Sequence, residues 1–118
     1  MKPGISQTGA TWTRASQAAN ANGVTTEIWY APNVGSGAGT TVTITQASLR
    51  SAAVVVEYSG VLSAGALDQT NSATGASTAA VTGTTPTTTQ PGELWLAGIG
   101  IADGRRTLNA PYGNSFTV

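Results

Sequence analysis

The chain has 118 residues, five acidic and five basic side chains, a formal net charge of zero, and neither histidine nor cysteine. Histidine is the side chain whose unperturbed pKa lies near neutrality and cysteine is the readiest nucleophile, so Ser-His-Asp, Cys-His and Cys/His-zinc chemistry are all excluded. The charged fraction of 8% is about a third of the usual share, and a net charge of zero offers no long-range attraction to phosphate or anionic lipid.

Strand signals dominate from the start, and no segment holds an apolar period of 3.6 residues. Thr11-Trp12-Thr13-Arg14-Ala15 is followed by Asn20-Ala21-Asn22-Gly23 and then by Val24 to Tyr30. Asn-Gly between two β-favouring runs predicts a hairpin with a type I′ turn, whose two central residues need positive φ. In the second arm Thr26, Ile28 and Tyr30 share one face, and Glu27 and Trp29 the other. Ala31-Pro32 ends that arm, and Gly35 to Gly39 reads as a flexible connection.

Thr40 to Thr45 alternates, with Val42 and Ile44 on one face and Thr41, Thr43 and Thr45 on the other. Ala52 to Tyr58 is the next expected strand, with Val54, Val56 and Tyr58 towards a core and Val55 and Glu57 away from it. Residues 61–77 are small and polar apart from Val61, Leu62 and Leu67, which are expected to plug one end of that core. Thr78 to Thr82 is a weaker strand, and Thr84 to Gly92, holding Pro86 and Pro91, an extended loop. Glu93 to Ala102 is the best strand of the chain, with Leu94 and Leu96 opposite Trp95. Gly98 and Gly100 in its second half point to a bulge or a close neighbour. Asp103-Gly104 predicts a second hairpin, returning from Arg105 to Asn109 before Tyr112 and Phe116.

The length fits one domain over residues 1–118. Six or seven short strands joined by Gly, Asn and Pro turns, with no helix between them, predict an all-β fold. The expected form is an antiparallel β-sandwich, immunoglobulin-like or jelly-roll, with Val42, Ile44, Val54, Val56, Tyr58, Leu94 and Leu96 in its core. No apolar run approaches the roughly 20 residues that span a bilayer, so membrane insertion is not expected. The opening residues Met1 to Ser6 have no hydrophobic stretch of the signal-peptide kind. The expectation is therefore a domain of a longer secreted chain or a virion protein.

Several segments together carry a resemblance: Thr11-Trp12-Thr13-Arg14, Thr26 to Pro32, Glu57-Tyr58-Ser59-Gly60-Val61, Leu67-Asp68, Thr87-Thr88-Thr89-Gln90 and Glu93-Leu94. The chain resembles a β-sandwich module of large secreted or surface-anchored bacterial multidomain proteins. That resemblance implies an apolar strand before the Thr-Trp-Thr segment and further strands after Phe116-Thr117-Val118. A domain trimmed at both ends, or completed by another chain, is the corresponding expectation.

The remaining chemical options are few. Glu27, Glu57 and Glu93 are the candidates for a glycosidase pair, which needs two carboxylates about 5–5.5 Å or 6.5–9.5 Å apart; strand charges of this kind more commonly blunt an edge. Asp68 and Asp103 are oxygen ligands without a D-x-D-x-D array, and the Asp-Gly pair reads as a turn. Ser59 and Ser63 lack the G-x-S-x-G elbow, and the Gly35–Gly39 run has no following lysine for a phosphate loop. Thr41, Thr43 and Thr45 form one short row suited to a solvated strand face. Arg105-Arg106 is the single basic pair, read as a solvated loop tip, and no nucleic-acid partner is expected. Lys2 is the one lysine, in the N-terminal tail, which argues against an intramolecular isopeptide.

Trp29 and Trp95 are the candidate ligand-binding residues. Each lies opposite the apolar face of its strand, and flat indole faces suit stacking on a sugar ring. No catalytic residue, metal ligand or cofactor is expected. The function read from the sequence is a non-catalytic extracellular structural, adhesion or assembly module at the cell surface. Its expected partners are other protein chains, met by strand pairing or homo-oligomerisation through residues near Ile5 to Arg14 or Leu108 to Val118. The alternatives are a carbohydrate-binding module with a polysaccharide partner, and a virion or filament subunit.

Overall fold

The structure is a computed structural model that describes residues 4–103. Several sequence expectations lie outside the described residues: Lys2, the Asp103-Gly104 hairpin with its returning arm, the Arg105-Arg106 pair, Tyr112, Phe116 and the segment Leu108 to Val118.

Among the described residues four strands occur, in the order β1 (Gly4–Ser6), β2 (Thr13–Ala19), β3 (Thr25–Tyr30) and β4 (Thr43–Thr45). They form two two-stranded sheets, β1 with β4 and β2 with β3, and no helix occurs among the described residues. The all-β class is what these elements show. β1 and β4 run antiparallel, with Gly4 opposite Thr45, Ile5 opposite Ile44 and Ser6 opposite Thr43.

The hairpin at Asn20 to Gly23 forms with a different turn from the one expected. The Gly23 N–H donates to the Asn20 carbonyl at 3.2 Å, and the Asn20 N–H donates to the Val24 carbonyl at 3.0 Å. Gly23 alone is left-handed, at φ +80°, and neither Ala21 nor Asn22 has positive φ. This is the longer hairpin loop in which a type I turn is followed by a left-handed residue, rather than the two-residue type I′ turn. The Asn20 Oδ1 accepts from the N–H groups of Asn22 and Val24, both at 3.0 Å, which satisfies the loop backbone locally. Counting three residues back from Asn20 and three on from Val24 sets Gln17 opposite Glu27. The Gln17 Nε2 donates to the Glu27 Oε1 at 2.8 Å across the pair.

The chain divides into two compact units: Met1–Arg14 with Trp29–Asp68, and Ala15–Ile28 with Gln69–Val118. In the first unit Gln7 and Ala10 close a tight turn, the Ala10 N–H donating to the Gln7 carbonyl at 3.3 Å, with Gly9 at φ +76°. The Gly39 N–H donates to the Thr8 carbonyl at 2.8 Å, which ties residues 35–39 to this turn. The expected flexible connection is thus anchored, and a further bond from the Ala38 N–H to the Gly35 carbonyl at 2.9 Å closes it on itself.

In the second unit residues 98–100 lie against β3. A β-carbon on Gly98 would lie 3.3 Å from Thr26 Cγ2 and 3.7 Å from Ile28 Cγ1. The close neighbour expected at these glycines is therefore Thr26 and Ile28 on one face of β3, with Val24 just before that strand. The Ser72 Oγ also donates to the Gln17 carbonyl at 3.2 Å, and the Asn71 Nδ2 to the Thr84 carbonyl at 2.7 Å.

The expected strands over 52–58, 78–82 and 93–102 carry no ladder, and β4 is shorter than the alternation over 40–45. The expected core does not form either. No described residue is buried: Val54 is 88% exposed, Val56 57%, and Tyr58, Leu94 and Leu96 49% each. Ile44 is exposed and Val42 half-buried. Val61, Leu62 and Leu67 are likewise exposed, so they plug nothing. Alternation records that a segment suits a pleated surface; burial needs a facing layer, and the described ladders are two pairs of three to seven residues. Two-stranded ribbons of that length are marginal by themselves.

Candidate functional sites

Trp29 stands in β3 and is half-buried. The Arg14 guanidinium carbon lies 5.9 Å from its ring centroid, within cation–π range. Arg14 belongs to β2, the other arm of the hairpin, so the ladder that forms the hairpin also brings the guanidinium onto the indole. One face of Trp29 is thereby occupied, and a sugar ring would have to displace Arg14 to stack there.

Trp95 lies in the second unit, on residues without a ladder, and is also half-buried. It lines a hollow of about 290 Å³ with Thr88, Gln90, Pro91, Gly92 and Glu93. Pro91 followed by Gly92 at φ +76° is the residue pattern of a type II turn, which sets Gln90 and Glu93 at its two ends. The hollow thus joins an aromatic surface to an amide, a hydroxyl and a carboxylate. Trp29 and Trp95 fall in separate units.

A second hollow, of about 330 Å³, is lined by Ser6, Gln7, Thr8, Thr41 and Thr43 in the first unit. Nothing in the sequence marks Ser6 to Thr8, because β1, which ends at Ser6, is three residues long and too short to show a period. Gln7 organises this region: its Nε2 donates to the Gly39 carbonyl at 2.7 Å, and its Oε1 accepts from the Trp12 indole N–H at 3.1 Å. An indole nitrogen only donates and a carbonyl only accepts, so both bonds fix the same orientation of the amide. Thr41, Thr43 and Thr45 are all exposed, as expected of a solvated row.

Of the carboxylates, Glu27 is held by Gln17, Glu57 is exposed, and Glu93 lines the Trp95 hollow. Glu57 falls in the first unit, Glu27 and Glu93 in the second. Among the described residues no group of three or more acidic side chains is arranged to hold a metal ion, and no helix is long and apolar enough to cross a membrane.

No family model matches the chain, and neither a curated protein nor a solved structure matches it.

Proposed function

We propose that the chain is a non-catalytic structural or adhesion module that works outside the cell, at a cell surface, by assembling with other protein chains. The observation that carries this reading is exposed apolar surface. Fifteen large hydrophobic residues stand exposed, and none is buried among the described residues. Contiguous exposed apolar surface marks association sites in soluble proteins.

The finer architecture that fits this reading is an antiparallel β-sandwich, immunoglobulin-like or jelly-roll, whose second layer is completed on assembly. The resemblance to modules of secreted or surface-anchored bacterial proteins agrees with it. Sedimentation velocity on the pure chain tests the reading: association that grows across the micromolar range is expected. A single monomeric species with a cooperative melt overturns it. For the chemistry, no polysaccharide turnover is expected from the pure chain. Turnover that disappears in the combined Glu27→Gln, Glu57→Gln and Glu93→Gln variant overturns the non-catalytic part.

A second reading, carbohydrate binding, is favoured by the hollow at Trp95. Its 290 Å³ lies near the lower limit of small-molecule sites, and an indole beside Gln90 and Glu93 offers both stacking and hydrogen bonds to a sugar.

A further inference from the structure

We infer that residues 52–58 form the contact between two copies of this chain, as antiparallel strands paired about a two-fold axis through Val55. This rests on the assembly reading and names both its partner and its place. The segment Ala52-Ala53-Val54-Val55-Val56-Glu57-Tyr58 contains no proline or glycine and a single charge. Such a composition is the sequence signature of inter-chain β pairing. All seven residues are exposed, and none of them makes a hydrogen bond in the structure. Their backbone donors and acceptors are thus available for a ladder. Gly60, at φ +77°, turns the chain just beyond, which bounds the segment.

The position of Glu57 selects the arrangement. In a parallel in-register pair each residue neighbours its own copy about 4.8 Å away, so Glu57 would stand beside Glu57 with its charge unrelieved. A two-fold axis through Val55 instead sets Glu57 opposite Ala53, Val54 opposite Val56, and Ala52 opposite Tyr58. On one face every opposed pair is then apolar; on the other, the two carboxylates sit at opposite ends of the ribbon, separated by Val55 against Val55. The patch is complementary to itself, as an isologous interface requires, and a heterologous partner need not be supplied. Val54, Val55 and Val56, at the middle of this ribbon, are 88%, 57% and 57% exposed in the single chain.

The test uses the full chain and Val55, the residue on the axis. In sedimentation velocity the parent chain is expected to dimerise with rising concentration. Val55→Lys and Val55→Glu, each setting two like charges against each other, are expected to weaken that association at least tenfold. An equimolar mixture of the two variants is expected to recover it, which simple misfolding of either would not do. The chain contains no cysteine, so Val55→Cys is expected to yield a disulfide-linked dimer on mild oxidation. A parent that associates while Val55→Lys associates equally well overturns this interface and leaves the assembly reading in place. So does a mixture that fails to recover, or a Val55→Cys chain that stays unlinked. A parent that remains monomeric overturns both.

Discussion

Gly100 meets Thr26 so closely that a β-carbon on Gly100 would overlap the Thr26 Oγ1 and lie 2.9 Å from Val24 Cγ1. Gly98, two residues earlier on the same side, meets Thr26 less tightly, its nearest atom at 3.3 Å. Neither glycine has positive φ. They are required by close approach to β3, and not by backbone conformation.

Gly100→Ala is therefore expected to destabilise the second unit by about 1–3 kcal/mol, the usual range for overpacking, and Gly98→Ala by less. Thr26→Ala removes the overlapping hydroxyl, so the double variant with Gly100→Ala should regain part of the loss. Urea denaturation of the four chains of that cycle measures the coupling. Additive effects would contradict the contact.

Gly9 and Gly23 separate conformation from crowding. Both are left-handed, at φ +76° and +80°, yet a β-carbon on Gly9 would lie 3.1 Å from the Ala38 Cα, whereas one on Gly23 would meet nothing within 4 Å. Gly23→Ala should cost about 1–2 kcal/mol, the left-handed penalty alone. Gly9→Ala should cost more, because a backbone atom has to give way. Equal losses in thermal melts would show that the turn at residues 7–10 does not rest on residues 35–39.

Gln7 joins two elements through one amide. Gln7→Leu removes a bond of 3.1 Å to the Trp12 indole and one of 2.7 Å to the Gly39 carbonyl. The expected loss is about 1–3 kcal/mol for two partly buried bonds. Gln7→Glu keeps an acceptor for Trp12 but has no donor for Gly39, so it should fall between parent and Gln7→Leu. Denaturant midpoints order the three chains, and parent-like stability in Gln7→Leu would remove this network from the account.

The two tryptophans should behave differently in a glycan-retention experiment. If carbohydrate is bound, Trp95→Ala abolishes retention, since Trp95 lines the open hollow. Trp29→Ala leaves it unchanged, because Arg14 already lies over one face of that ring. Retention lost on changing Trp29, and kept on changing Trp95, would reverse the assignment.

What the sequence determined by itself was local. The absence of histidine and cysteine closed off whole reaction classes, because chemistry depends on side-chain type before geometry. The hairpin at Asn20 to Gly23 was legible because turn residues act over four or five positions, although the turn type was not: only Gly23 took up the left-handed conformation. The need for a close neighbour at Gly98 and Gly100 was also readable, since glycine within an apolar run leaves space for something. Tertiary structure decided that the neighbour is β3, that Arg14 lies over Trp29, and that Gln7 links Trp12 to Gly39. It also decided that Val54, Val56, Leu94 and Leu96 stand exposed. Those outcomes depend on which distant segments meet, and alternation within a strand carries no information about what will cover its apolar face.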